Sequence, residues 1–218
     1  NYGIHACGSE SSSVWPRGVV CRELMKIPDH RDSIGSVHDL LLSHGVPGIE
    51  GIDTRSLTRR VREHGTVLCV FGPVEKEQEL IEILENLSPP DHSDLVAEVT
   101  CSKSIILNEG ATDVDGNPLP RLAAIDCGIK FNILRELCTR FEVVWCPANM
   151  KFDEIIEQWS PDAFFSSNGP GDPEPLDYVR ENIKNILGKV PIFGICLGHQ
   201  LLAETLGAEI FKLPFGHH

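Results

Sequence analysis

The sequence has no long hydrophobic run, few basic residues relative to acidic ones, and no closely spaced pair of cysteines. No apolar stretch approaches the roughly 20 residues that a membrane-spanning helix needs. The 19 Lys and Arg residues are outnumbered by 32 Asp and Glu, which gives a net charge of −13. Nucleic acids and anionic lipids bind basic patches. We therefore expect neither a nucleic acid nor a membrane as a partner.

Eight cysteines are scattered over the chain without CxxC spacing. Disulfide frameworks are typical of short secreted chains, and zinc fingers need closely spaced Cys or His pairs. Cys138 and Cys146 stand in apolar surroundings that are typical of buried thiols. The N-terminus also lacks the basic start and apolar run of a signal peptide. We expect free thiols and a cytoplasmic location, with the true N-terminus outside these 218 residues because no initiator methionine is present.

The second half of the chain alternates apolar strands with amphipathic helices. Strands are predicted at 121–128, 141–147, 161–166 and 190–195, and helices at 130–140, 151–159, 176–188 and directly after Cys196. This alternation predicts an α/β fold with a parallel sheet and helices on its faces. Ligands bind at the carboxyl ends of the strands in such sheets. Cys196 and the loop NGPGDP both follow strands, so we expect them to share one crevice.

The first half is of a different, α+β type. A helix is predicted over 54–65, a strand over 66–71 and an amphipathic helix over 75–87. The stretch 108–120 is rich in Gly, Pro, Asp and Asn, which is typical of a linker. We therefore predict a smaller α+β domain over residues 1–115, followed by the α/β domain over residues 116–218.

Cys196 stands between Gly194 and Gly198, after an apolar strand and before a helix. This is the pattern of a nucleophile elbow, because the tight turn leaves room only for glycine where strand and helix approach. The turn exposes the sulfur at a helix N-terminus, where the helix dipole favours the reactive thiolate. The N–H of Leu197 is expected to face an oxyanion, and the NGPGDP loop can supply a second donor.

Purely structural interpretations of Cys196 and of other candidate residues are the alternatives to a catalytic role. Free cysteine is among the most buried residue types, so Cys196 alone also fits a core thiol. Cys127 follows a strand but has glycine only after it, and we interpret it as structural. We interpret His199 as a polar residue of the first helical turn and not as the base, since the elbow lifts its nucleophile away from the following helix. The basic cluster Arg55, Arg59, Arg60 and Arg62 favours a solvated or partner-facing helix over a phosphate site.

These segments resemble a known family. GICLGHQLLA, with Cys196, and SSNGPGDP upstream of it are similar to the triad (class I) glutamine amidotransferases. The segments ESSSVWPRGVVCREL, GVPGIEGIDTRSLTRRVREHGT and DCGIKFNILREL narrow the resemblance to the small, glutamine-hydrolysing subunits of carbamoyl-phosphate synthase. The segment IDTRSLTRRVRE distinguishes these subunits from other class I amidotransferases, which lack the N-terminal domain that contains it. The resemblance covers essentially the whole chain.

The resemblance implies an enzyme that hydrolyses glutamine to glutamate and ammonia through a thioester on Cys196. The ammonia would pass to a large, ATP-using synthase subunit or fused synthase domain. By position, the N–H groups of Leu197 and Gly169 form the oxyanion hole, and the substrate L-glutamine contacts Gly169, Gly171, Leu197 and Gln200. No cofactor or metal is implied in this chain, since ATP and Mg²⁺ belong to the large subunit.

The family's general base His and its orienting acid lie in a later HPE-type segment. We therefore expect the amidotransferase domain to continue beyond residue 218, and residues 1–218 alone to turn over little glutamine. His217 and His218 match the start of the next family segment, and a tag remnant is the alternative. The pathway served, pyrimidine or arginine synthesis, stays open. Two rival functions also remain: a non-catalytic docking module, and a cysteine hydrolase with another substrate.

Overall fold

The computed structural model describes residues 3–5, 8–65, 67–88 and 93–213. The described residues fall into two compact units. The first unit contains the described residues up to 88 together with Lys212 and Leu213, and the second contains residues 93–211. Within the described ranges, no helix is long and apolar enough to cross a bilayer.

The first unit is a small α+β assembly with very short strands. Strand β1 (Ile4–His5) pairs with β3 (Ser33–Gly35), and β2 (Val19–Val20) pairs with β4 (Gly48–Ile49). The helices of this unit are α1 (Val37–Ser43), α2 (Thr54–His64) and α3 (Glu77–Asn86). The helices predicted over 54–65 and 75–87 are confirmed. The strand predicted at 66–71 is wrong for residues 67–71, which pair with no strand in the described chain.

The second unit is built on a five-stranded sheet, which confirms the predicted α/β class. Its strands are β5 (Ile105–Ile106), β6 (Arg121–Asp126), β7 (Glu142–Pro147), β8 (Ala163–Ser166) and β9 (Ile192–Gly194). Their order is β5-β7-β6-β8-β9, and only β5 is antiparallel to its neighbour. The chain passes from β6 outward to β7 and then returns to β8. The strand order therefore reverses between β6 and β8, where ligand crevices form in such sheets.

Helices cover both faces of this sheet. They are α4 (Val96–Val99), α5 (Phe131–Cys138), α6 (Phe152–Trp159), α7 (Asp177–Ile186) and α8 (Leu197–Thr205). Along β6, Leu122 and Ala124 pack into the cluster that contains Leu134 of α5. Ala123 and Ile125 face the other way, into the cluster formed with α6, α7 and α8. Both faces are buried, and this explains why the parallel strands read as nearly continuous apolar runs.

The predicted boundary at residue 115 does not coincide with the division between the two units. Residues 93–115 belong to the second unit, where Ile105 and Ile106 form β5 beside β7. The side chain of Asn108 donates to the carbonyls of Cys138 (3.1 Å) and Phe141 (2.8 Å). The Gly- and Asp-rich stretch is thus an ordered turn of this unit, because such composition marks a turn without saying whether it separates domains.

Glu142, at the start of β7, ties this turn to the sheet. Its carboxylate accepts the N–H of Gly110 (2.9 Å) and pairs with the guanidinium of Arg121 (2.6 Å). The N–H of Gly110, and then Arg121, hold the pKa of the Glu142 carboxyl below its usual range. A lowered native pKa stabilises the fold above the unfolded pKa of about 4.3, and this stabilisation is lost as the pH falls through the native pKa.

We predict that Glu142→Gln lowers the free energy of unfolding at pH 7 by about 1–2 kcal/mol, because charge-assisted hydrogen bonds are lost. The loss should shrink below pH 4, where the wild-type carboxyl becomes protonated. Urea unfolding between pH 3 and pH 7 measures both effects. Glu157→Gln, at an exposed position of α6, is the control and should stay within about 0.5 kcal/mol of wild type. A pH-independent loss would contradict the assignment.

Candidate active site

Cys196 lies in the turn between β9 and α8, and its backbone has a conformation that L-residues rarely adopt. Its φ is 52° and its ψ is −112°. A Cβ added to Gly194 would lie 2.5 Å from the carbonyl carbon of Gly198, and one added to Gly198 would overlap the carbonyl oxygen of Ser166. Both flanking glycines are therefore required by close backbone approach. The strand, turn and helix of the predicted elbow are present.

Two backbone N–H groups without acceptors in the described chain belong to Leu197, the residue after Cys196, and to Gly169 of the neighbouring loop. Leu197 is the first residue of α8, so its N–H has no partner within the helix. Across the described residues, neither this N–H nor that of Gly169 has a hydrogen-bond acceptor. A Cβ on Gly169 would lie 2.7 Å from Cδ2 of Leu197 and would overlap the carbonyl oxygen of Cys127. The two donors thus belong to segments in contact, as an oxyanion site requires.

Ser167 holds these segments together, and sequence reasoning missed it. Its carbonyl oxygen accepts the N–H of Gly198 (3.0 Å), and its hydroxyl accepts the N–H of Cys127 (2.9 Å). The hydroxyl also donates to the carbonyl of Asn168 (2.8 Å). This single buried serine joins the ends of β6 and β8 to the start of α8. An isolated polar residue after a strand produces no periodic signal, so the pattern could not reveal it.

The other predicted glutamine contacts lie on either side of this junction. Gly171 follows in the loop with a φ of 80°, beside the side chain of Leu95. Gln200 lies one helical turn after Cys196, and its N–H donates to the Cys196 carbonyl (3.0 Å). Residues four apart share a helix face. The contact of these two residues with glutamine stays a prediction.

No histidine of the described chain is hydrogen-bonded to the Cys196 thiol. His199 is exposed on the first turn of α8 and makes no such bond. This agrees with the expectation that the elbow separates the nucleophile from its following helix. His217 and His218 lie outside the described residues.

The thiols of the chain differ sharply in burial. Cys69 and Cys196 are the exposed ones among the described residues, whereas Cys138, predicted to be buried, is only half-buried. Cys146 is fully buried, as predicted, and so is Cys127. Burial raises the pKa of three thiols to about 12: Cys101, Cys127 and Cys146. A higher pKa leaves less thiolate, and these thiols are correspondingly unreactive at neutral pH.

Within the described ranges, one group of side chains has the spacing of metal ligands, and it lies in the first unit. The ligand atoms of His5, His30 and Asp32 lie within 4.8 Å of one another. Nδ1 of His30 accepts the N–H of Asp32 (3.2 Å), and Nε of Arg31 donates to the Asp32 carboxylate (3.3 Å). These groups are already engaged locally, and the cluster is not part of the unit that carries Cys196.

Two family models match the chain in its two halves. Residues 123–218 match the family described as Glutamine amidotransferase class-I. Residues 1–71 match the Carbamoyl-phosphate synthase small chain, CPSase domain. The first match contains the elbow, the NGPGDP loop and the sheet that joins them. The site therefore lies in the part of the chain that matches the class I glutamine amidotransferases.

Curated relatives narrow the similarity to carbamoyl phosphate synthase small chains. The carbamoyl phosphate synthase small chain of Syntrophotalea carbinolica is 40% identical, over all of this chain and 60% of the relative. That of Methanocaldococcus jannaschii is 40% identical, over all of this chain and 59% of the relative. The chain is similar over its whole length to carbamoyl-phosphate synthase small chains, which confirms the resemblance. It spans about three fifths of the length of these relatives.

We predict that Cys196 is alkylated first when the protein is treated with limiting iodoacetamide at pH 7. It combines exposure with a position at a helix N-terminus, whereas Cys69 is exposed in a segment without secondary structure. Peptide mapping by mass spectrometry gives the order of labelling. Cys127 and Cys146 should label only after denaturation. Faster labelling of Cys69 or Cys138 would contradict this prediction.

Proposed function

We propose that the chain supplies the glutamine-hydrolysing site of a carbamoyl-phosphate synthase. The Cys196 thiolate attacks the carboxamide carbon of L-glutamine and forms a tetrahedral intermediate. This intermediate expels ammonia and leaves a glutamyl thioester, which water hydrolyses to glutamate and the free thiol. The ammonia passes to a large, ATP-using synthase subunit or fused domain, which makes carbamoyl phosphate.

The observation that carries this proposal is the junction of three backbone features. Cys196 stands in a strained turn at the start of α8, the N–H of Leu197 lies next to it, and Gly169 touches Leu197 from the neighbouring loop. The N–H groups of Leu197 and Gly169 stabilise the oxyanion that forms on the substrate oxygen. The names of the relatives and the two family matches agree with this chemistry.

The reaction needs an acid that protonates the leaving ammonia. We propose that this role belongs to the family's HPE-type histidine, outside residues 1–218, since His199 makes no bond to the thiol. No metal or organic cofactor is required at the site, because the thiolate supplies the nucleophile and the backbone donors stabilise charge. ATP and Mg²⁺ act in the large subunit. A cytoplasmic location is consistent with the free thiols of the described chain.

We predict that Cys196→Ala abolishes glutamine hydrolysis by the full-length protein, and that Gly169→Ala lowers kcat by about 100-fold. The added methyl group of Gly169→Ala would overlap the Cys127 carbonyl and displace an oxyanion donor, and one lost donor costs ~100-fold or more. Glutamate release measures turnover. Acid quenching with labelled glutamine should trap a thioester on wild type and none on Cys196→Ala.

Gly188→Ala is the matched control for the glycine variant. Unlike Gly169, Gly188 has a positive φ, 76°, but no atom lies within 4 Å of an added Cβ, and it precedes β9 at the opposite end from the elbow. It should keep kcat within about twofold of wild type while costing about 1 kcal/mol in stability. Turnover by Cys196→Ala would refute the proposal. Faster turnover of peptides or γ-glutamyl conjugates than of glutamine would favour another cysteine hydrolase.

The large subunit is proposed to bind through α2. This helix buries none of its residues, and its Leu57 and Val61, one turn apart, are 38% and 42% exposed. Arginines flank them on the same helix, and interfaces are enriched in arginine around apolar contacts. An exposed apolar pair among arginines fits a partner-facing helix better than a solvated one.

We predict that Leu57→Glu weakens binding of the large subunit by about tenfold or more, because it places a carboxylate in a desolvated contact. Ile83→Glu on α3 is the matched control, since Ile83 is 44% exposed, and it should change the affinity by less than about twofold. Surface-immobilised large subunit gives both dissociation constants. Equal weakening by the two variants would remove α2 as the contact.

A further inference from the structure

Arg180 of α7 joins the loop that carries Gly169 to the helix that carries Leu197. Its Nη1 donates to the carbonyl of Pro173 (2.6 Å) and to a carboxylate oxygen of Glu204 (3.1 Å). Its Nη2 donates to the carbonyl of Glu174 (2.7 Å) and to the carboxylate of Asp177 (2.6 Å). The guanidinium is a rigid fork of donors, so these four bonds fix its orientation.

Glu204 is the partner that reaches a different element. It lies in the last turn of α8, where the helix dipole disfavours a negative charge and where the helix has no basic residue of its own. Its side chain is 26% exposed, and that of Arg180 is 22% exposed. Asp177, in contrast, is 95% exposed and sits on the same helix as Arg180. Arg180 therefore supplies the positive charge that the end of α8 lacks.

The loop between Gly169 and α7 is stiff enough to transmit this anchoring. Prolines at 170, 173 and 175 fix φ along the segment GPGDPEP. The carbonyl of Pro173 also accepts the N–H of Leu176 (3.0 Å), which closes the turn into α7. At its front, the loop is held to α8 by the bond from Gly198 to Ser167. Arg180 makes a second connection between this loop and α8, through Pro173 near the end of the loop and Glu204 in the last turn of the helix.

We propose that Arg180, through Glu204, is a positioning residue that sets the spacing between the two oxyanion donors. This inference rests on the proposed function, because it assigns the N–H groups of Gly169 and Leu197 to the oxyanion. The two donors come from different elements, so their convergence depends on how the loop and α8 are held relative to each other. Small misplacements of reacting groups cost rate without abolishing it.

The test compares Arg180→Met, Glu204→Gln and Asp177→Asn in the full-length protein. Arg180→Met keeps the apolar stem but removes the fork, and Glu204→Gln keeps the shape but removes the charge. Both should lower kcat about tenfold with KM within about twofold, since the lost interaction matters mainly in the transition state. The double variant should be no worse than Arg180→Met alone. Asp177→Asn, the matched control, should stay within about twofold of wild type.

Two alkylation rates distinguish positioning from a purely structural role. A chloroketone analogue of glutamine reacts with Cys196 through a tetrahedral adduct that needs the oxyanion donors, whereas iodoacetamide does not. The chloroketone rate should fall by the same factor as kcat, and the iodoacetamide rate should stay at the wild-type value. Equal losses of both rates, or a Glu204→Gln variant no different from Asp177→Asn, would overturn the inference. Glutamine turnover by Cys196→Ala would instead overturn the proposed function itself.

Discussion

The contact between Gly198 and the carbonyl of Ser166 is the constraint on which the rest of the site depends. It brings α8 so close to β8 that no side chain fits between them. The N–H of Gly198 then bonds the carbonyl of Ser167, and Leu197 comes to rest against Gly169. A larger residue at 198 would push the helix outward and carry Leu197 with it. The chemistry of the thiol is therefore set by backbone packing as much as by the cysteine.

The segment that contains Leu95 and Cys101 lies about 100 residues before Cys196 in the sequence, yet it supports one wall of the crevice. The buried carboxylate of Asp126 accepts the N–H groups of Cys101 (2.8 Å), Gly128 (2.9 Å) and Ile129 (2.8 Å). These bonds fix the turn after β6 and attach the segment that precedes β5. Leu95 of the same segment packs against Gly171. Leu95 and Cys101, which precede β5 in the second unit, thus support the loop that bears the proposed oxyanion donor.

The elements that sequence patterns revealed are those with strong periodicity. The four parallel strands, the helices between them and the Gly-x-Cys-x-Gly elbow each repeat a local rule, and the structure has them near the predicted bounds. The patterns missed contacts between distant residues. Ser167 and Arg180 act through partners up to 40 residues away, and the two-residue β5 is too short for any pattern. The predicted boundary at 115 also differs from the division between the two units. The composition of this stretch indicates a turn, but it does not show which distant elements the turn contacts.

The short antiparallel strand β5 has a consequence for how the sheet can grow. It occupies the outer side of β7 with only two residues, and short edge strands discourage further pairing. On the opposite side, β9 has no neighbour beyond β8 among the described residues. Pairing of a further strand is therefore favoured at the edge of β9, next to the elbow. A strand paired with β9 would bring the residues at one of its ends to the side of the crevice that holds Cys196.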